Sequence, residues 1–382
     1  ISGVALGVSV IVFISALISG LQTNLFRRTL DYQAQIVIRP QEEVARSLRS
    51  TAGAELATLV QPRAQRLRSV DQWQTVRKAL EALPEVVVVA PVLAGAGFVV
   101  RGDANKAISL VGIEPRSYLQ LIALRPQMVE GSAEVSSADI LIGTELGKIL
   151  GVGLGDKLIV QTANAASATL SVSGVFDFGN KGVNERSVYV ALRTAQNLLN
   201  LPGGVSSLEL NLRQPFDAET VAQIVRAQTG LDVESWIELN AQFFSALQAQ
   251  SMSNNIIRFF VGLTAALGIA SVLVVSVVQK SKEIGILRAT GSSRTQILRV
   301  FLLQGAMMGL FGSLLGSVAG WAFLMSWRAI AINADGTPMF VIEFDSLLFV
   351  WAALGATLVG TLAAVFPART AARLDPAVAI RG

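Results

Sequence analysis

The stretch Ser281-Lys282-Glu283-Ile284-Gly285-Ile286-Leu287-Arg288-Ala289-Thr290-Gly291 decides how the rest of the chain is read. It is charged and partly amphipathic, and it lies between two long apolar runs. The run before it, Phe259 to Val278, carries no ionisable side chain, and neither does the run after it, Val300 to Met325. A helix needs roughly 20 residues to cross about 30 Å of hydrocarbon. Each run is therefore long enough to span a bilayer, and the segment between them is a loop held at one membrane surface.

Composition agrees. Of 382 residues, 52% are hydrophobic and only 15% are charged, and the mean hydropathy is +0.54, too apolar for an ordinary soluble protein. The apolar residues gather towards the two ends, and the middle has soluble composition. Cysteine and histidine are both missing. That removes disulfide frameworks, thiolate nucleophiles, Ser-His-Asp triads and the common zinc sites. The net charge of +4 is small, and basic residues are not interleaved with aromatics on a soluble face, so nucleic-acid binding is not implied.

The chain divides accordingly. Residues 1–30 read as a first transmembrane helix whose start is missing, and 31–252 as an extracytoplasmic α+β domain with a subdomain division near Glu130. Residues 253–280, 300–327 and 346–366 are the second, third and fourth spans, with Pro367 ending the last. Between them lie a cytoplasmic segment (281–299) and an extracytoplasmic connector (328–345), and 367–382 form a cytoplasmic tail. The fold class is an α-helical membrane protein with four transmembrane helices and a large α+β extracytoplasmic domain between helices 1 and 2. Within that domain, Gln35–Arg39, Val86–Val92, Ala96–Arg101, Ile108–Ile113, Ser187–Ala191 and Ser207–Leu212 read as strands. Lys157–Gln161 and Thr169–Phe176 form a hairpin. Glu42–Leu83 is mostly helical with a break at Pro62, and Glu238–Ser253 is helical and runs unbroken into the second span.

Small residues mark where helices meet. Gly3 and Gly7 form one small-xxx-small pair; Gly305, Gly309, Gly312, Gly316 and Gly320 line the third span. In lipid, helices gain from close backbone packing that only small residues permit. Packing within this chain's own bundle is the simpler reading, and a subunit interface the other. Charge sets the orientation. The segment 280–299 holds Lys280, Lys282, Arg288, Arg294 and Arg299 against Glu283, whereas 328–345 holds Arg328 against Asp335, Glu343 and Asp345. The positive-inside rule places the former in the cytoplasm.

Catalytic patterns are missing. There is no Gly-x-x-x-x-Gly-Lys-[Ser/Thr] phosphate loop, and Gly151-Val152-Gly153-Leu154-Gly155 follows a helix instead of opening one. The apolar runs carry no acid or base, so a proton relay lacks its usual residues. Energy for any transport must come from elsewhere.

Lys282-Glu283-Ile284-Gly285-Ile286-Leu287-Arg288-Ala289-Thr290-Gly291, then Gln296-Ile297 and Gln304-Gly305, and finally Phe366-Pro367-Ala368-Arg369-Thr370-Ala371-Ala372-Arg373-Leu374-Asp375-Pro376 carry a resemblance. The chain resembles the ABC transporter permease superfamily that includes MacB, FtsX and the lipoprotein-releasing LolC and LolE. The resemblance implies a bacterial inner-membrane protein with its large domain in the periplasm. It implies that Lys282, Glu283, Ile284, Gly285, Ile286, Leu287, Arg288 and Gly291 form a coupling helix docking on a separate ATPase subunit. Ile284, Leu287 and Arg288, at i, i+3 and i+4, would present an apolar knob beside a cation; an amphipathic segment lying on headgroups fits the same pattern. ATP and Mg would be bound by that partner, with no cofactor in this chain and no catalytic or metal residue. A second permease, identical or homologous, completes the implied assembly, together with a periplasmic chaperone, adaptor or hydrolase. The Thr162–Ser167 tip is shorter than the protruding hook with which LolC-type subunits hold their chaperone. Lipid-anchored or amphipathic cargo taken from the outer leaflet is the leading expectation, and release of lipoproteins would need an apolar cavity between the first and second helices lined by Leu17, Leu21, Ile257 and Phe260. Adaptor-linked efflux and activation of a cell-wall hydrolase are the alternatives.

Overall fold

A computed structural model describes residues 1–41, 67–330 and 346–374. The Pro62 break, the 331–345 connector, the tail from 375 onward and the side chains of Arg27 and Arg28 lie outside the described residues. In chain order the elements are α1 (Ser2–Tyr32), β1 (Ile36–Arg39), α2 (Trp73–Glu81), β2 (Val86–Arg101), β3 (Ala104–Ile113), α3 (Pro115–Leu121), β4 (Met128–Gly131), β5 (Asp139–Gly143), α4 (Thr144–Leu150), β6 (Lys157–Thr162) and β7 (Ser167–Phe176). They continue with α5 (Lys181–Arg186), β8 (Ser187–Ala191), α6 (Leu192–Leu198), β9 (Ser207–Leu212), α7 (Ala218–Thr229), β10 (Asp232–Ser235), α8 (Trp236–Leu239), α9 (Ala241–Gln279), α10 (Ser281–Ala289), α11 (Arg294–Ile330) and α12 (Ser346–Ala372). The chain forms two compact units, one of residues 28–242 and one of 1–27 with 243–382.

The first unit is built around β2. Where turn residues predict two strands, the structure has one of 16 residues. Its first half pairs with β9 in the antiparallel run β10-β1-β9-β2, and its second half pairs with β3 and β6. The β2-β3-β8-β5-β7-β6 circuit then closes on itself through Gly97–Val100 against Ile159–Thr162. Gly95 and Gly97 sit where β2 passes from sheet to barrel. A Cβ on Gly95 would lie 2.6 Å from Leu199 Cδ2, and one on Gly97 would lie 3.1 Å from the Gln161 carbonyl oxygen. These glycines permit close approach within a strand; they do not end it. Strict alternation along β6, exposed then buried, aims Leu158 and Val160 inward to meet Leu93, Val99, Leu110 and Ile142.

One expectation for this unit is corrected. No division falls near Glu130, because that residue lies in β4 and pairs with Val175 of β7 inside the continuous sheet. The 162–167 tip lies against α6. Thr162 Oγ1 donates to the Leu198 carbonyl at 2.6 Å and Asn164 Nδ2 to the Leu199 carbonyl at 3.4 Å, pinning the turn onto the end of α6.

A second core joins Tyr118, Phe176, Phe178 and Tyr189, whose rings meet at 4.9–6.4 Å. Beside it on β9, Glu209 is half-buried as a residue but its carboxyl end is enclosed. Burial pushes that carboxyl up to about 7 from 4.5, against smaller opposing effects of the Arg39 charge and a Ser207 hydrogen bond. A carboxyl that binds its proton more tightly when folded costs stability as pH rises from the unfolded value to the folded one. Melting of the full chain is therefore expected to fall between about pH 4.5 and 7, by up to roughly 3 kcal/mol from this group. Glu209→Gln should flatten that slope; an unchanged slope would assign it to other groups.

The second unit contains four helices long and apolar enough to cross a membrane. They exceed the predicted spans: α9 has 39 residues and α11 has 37. Asn240 separates α8 from α9, so the helix leading into the second span starts at Ala241 and not at Glu238. Pro367 does not end the last helix, which continues to Ala372. Small Ala364 before it and Ala368, Ala371 and Ala372 beyond it are all buried, and that packing keeps the last turns helical despite one missing backbone donor.

The five glycines of α11 face two neighbours in turn. A Cβ on Gly305 would lie 2.5 Å from both Ala364 Cβ and the Gly360 carbonyl oxygen of α12, and one on Gly309 would collide with the Ala356 carbonyl oxygen. Further along, Gly312 meets Val4 at 2.7 Å, Gly316 meets the Ala5 carbonyl oxygen and Val8, and Gly320 meets Ser9 and Val12 at 3.1 Å, all on α1. The stripe serves packing within the chain. Gly7 likewise faces Val261 of α9 at 3.1 Å, but Gly3 has open space around it and takes no part in this packing.

Candidate functional site: the helix between the second and third spans

The charged stretch between the second and third spans folds as α10. Its N-terminal turn carries Glu283, where a helix favours a negative charge, with Lys280 Nζ 3.5 Å from that carboxylate. Thr290 and Gly291 close it, Gly291 at φ 106°, a left-handed value suited to glycine. The next helix starts with a reciprocal cap: Ser293 N donates to Gln296 Oε1 at 2.8 Å, and Gln296 N donates to Ser293 Oγ at 3.2 Å. This gives Gln296 a structural task at the α11 start.

The exposed face differs from the expected one. Ile284 is buried among Ile269, Leu273, Val277, Ile297, Phe301 and the alanines of α12, and Gly285 is buried beside it. Arg288, one turn on from Ile284, points the same way. Its Nη1 donates to the Ala372 carbonyl at 3.2 Å and to the Leu374 carbonyl, while Nε is buried without a hydrogen-bond partner. A cation on the last carbonyls of a helix satisfies acceptors that lack an intrahelical donor and complements the helix dipole. Ile284 and Arg288 thus fasten α10 to the bundle, and the knob of Ile284, Leu287 and Arg288 is not presented as one surface. On its other side α10 exposes Lys282, Glu283, Ile286 and Leu287, with Ile286 at 54% and Leu287 at 50%, and its last residue Ala289 is exposed as well. These recur at helical spacing on the opposite side. Both faces of α10 are apolar in sequence, so its own periodicity does not tell the inner face from the outer.

Arg288→Glu would set a carboxylate against carbonyl oxygens and release α10 from α12. For the docking role that the resemblance implies, the expected outcome is a partner ATPase that still binds but is no longer stimulated. Pull-down combined with an ATPase assay checks this; unchanged stimulation would remove the clamp from the coupling path.

The four residues expected to line a cavity are not brought together. Helices α1 and α9 run antiparallel, with Gly7 facing Val261 and Phe26 meeting Phe243 and Phe244 at 6.1 and 5.8 Å. That register sets half-buried Leu17 and Leu21 roughly 10–20 Å along the axis from exposed Ile257 and Phe260. Among the described residues no group of three or more potential metal ligands occurs.

Two family profiles cover this architecture. Residues 1–228 match the MacB-like periplasmic core domain, and residues 255–376 match the FtsX-like permease C-terminal. The chain belongs to this family. The superfamily expected from the coupling stretch is the one found. Among its relatives, the lipoprotein-releasing system transmembrane protein LolC of Xylella fastidiosa is 26% identical over 413 residues, covering all of this chain and 92% of that protein. The corresponding LolE of Haemophilus influenzae is 21% identical, covering 98% of this chain and 91% of its own. The macrolide export ATP-binding/permease protein MacB of Wolinella succinogenes is 36% identical over 118 residues, 31% of this chain and 17% of that protein.

Proposed function

We propose that this chain is the membrane subunit of an ABC transporter in a bacterial inner membrane, and that it works on lipid-anchored cargo. ATP is hydrolysed on a separate subunit that docks on the outer face of α10. The observation that carries the reading is α10 itself: a short helix whose inner face is fastened to three spans while its outer face leaves two large apolar side chains exposed. A push on Ile286 and Leu287 is delivered through Ile284 to the bundle and through Arg288 to the end of α12. Helices α1 and α9 then carry the displacement towards a domain that the positive-inside rule puts in the periplasm. A second permease completes the complex. The lipid-cargo part is supported by likeness to LolC along the whole chain. An efflux reading draws on the shorter match to MacB.

Mass spectrometry of the complex purified with its ATPase from native membranes tests this. Acylated proteins in stoichiometric amounts are expected. A periplasmic adaptor without acylated protein would favour efflux, and a cell-wall hydrolase alone would mean that the chain transmits force without transporting.

A further inference from the structure

Arg258 is the sole ionisable residue in the 39 residues of α9. It lies about 33 Å along the helix from Lys280, close to the roughly 30 Å thickness of bilayer hydrocarbon. With Lys280 at one membrane surface, Arg258 stands at the other, where acyl chains give way to headgroups. Its side chain is held in place: Nη2 donates to Ser15 Oγ of α1 at 2.6 Å, with a long contact of 3.5 Å from Nη1 to Asn255 Oδ1. Its Nε is buried without a partner, yet the residue as a whole is only half-buried. No acid pairs with it among the described residues. The spans have little to offer: α9, α11 and α12 contain no Asp or Glu, and α1 has only Asp31, 16 residues beyond Ser15. Ile256, Ile257, Phe259 and Phe260 around it are all exposed and apolar, a surface suited to acyl chains.

A guanidinium left without a counter-ion at this depth is costly, and such residues pair with whatever anion the site admits. The anion present at that depth in every bilayer is the lipid phosphodiester, which matches the planar donors of arginine. We infer that Arg258, oriented by Ser15, binds the phosphate of a bilayer phospholipid at the seam of α1 and α9, with the acyl chains lying on the exposed apolar side chains of α9. In the described parts of its own spans a second copy of this chain offers only Asp31, 16 residues from the level of Ser15, to take the phosphate's place. The inference needs the bundle to span a bilayer and does not depend on the nature of the cargo.

The test uses the full complex in nanodiscs containing a phosphatidylglycerol with a photoactivatable group near the headgroup, followed by peptide mapping. Crosslinks are expected at residues 252–260, and Arg258→Gln should reduce them about tenfold, the size of a charge-assisted hydrogen bond. Ser15→Ala, which keeps the charge but frees its orientation, should reduce them less. A photoactivatable diacylglycerol, lacking phosphate, should label this stretch weakly and respond to neither change. Equal phosphatidylglycerol labelling in wild type and Arg258→Gln would overturn the inference, as would equal labelling by diacylglycerol, which would mean apolar contact alone. Loss of labelling on adding inorganic phosphate would reassign the site to soluble anions and overturn the lipid assignment. Retained assembly with the ATPase shows that each variant is folded.

Discussion

Gly316→Leu is expected to prevent stable assembly of the helix bundle. A Cβ at this position runs into the Ala5 carbonyl oxygen and would lie 2.8 Å from Val8 Cβ and 3.1 Å from Ser9 N. Two of those three atoms are backbone, so no rotamer change relieves the clash, and α1 must move away from α11 along its length. Overpacking a filled core costs about 1–3 kcal/mol where side chains can give way, and more where they cannot. Gly355→Leu is the matched control, because a Cβ there has nothing within 4 Å. Thermal stability of the detergent-solubilised chain, read by size exclusion after heating, should collapse for Gly316→Leu and stay near wild type for Gly355→Leu. Similar losses in both, or in neither, would refute the packing assigned to the stripe.

The second large effect concerns the partner ATPase. Ile286→Glu with Leu287→Glu is expected to weaken its binding at least about a hundredfold. Burying two aliphatic side chains at an interface contributes about 1.5–3 kcal/mol each, and a hundredfold corresponds to about 2.7 kcal/mol. Both side chains lie outside the bundle core, so the double variant should keep its melting behaviour. Ile284→Ala should do the reverse. It opens a cavity at a residue 4% exposed, costing about 2–5 kcal/mol of stability, while the docking face stays intact. Quantitative pull-down beside thermal melting separates the two. Undiminished ATPase binding by the double variant would mean that the outer face of α10 lies on lipid headgroups.

The two experiments mark where the sequence is legible. Spans can be read because about 20 consecutive uncharged residues have one physical use at a membrane. The glycine stripe on α11 can be read as a contact surface because in lipid only small residues let backbones approach closely. Its partners cannot: nothing in Gly305 or Gly316 says that one meets α12 and the other α1. The strands of the first unit follow their β-branched runs, but the joining of two runs into β2 does not, since Gly95 and Gly97 carry the same local signature in a turn as in a bent strand. Burial of Glu209 is equally invisible in Leu208-Glu209-Leu210, where alternation suggests an exposed carboxylate.

By itself the sequence determined which segments enter the membrane, which end of each faces positive charge, and that a short charged helix joins the second and third spans. These follow from hydrophobicity, length and charge, which act locally along the chain. Only the tertiary structure decided that Ile284 and Arg288 turn inward and Ile286 and Leu287 outward, that β6 returns to β2 to close a barrel, and that Arg258 meets Ser15. Each of these depends on which distant surface covers a group in the folded chain, and two apolar faces of one short helix look alike until one of them is buried.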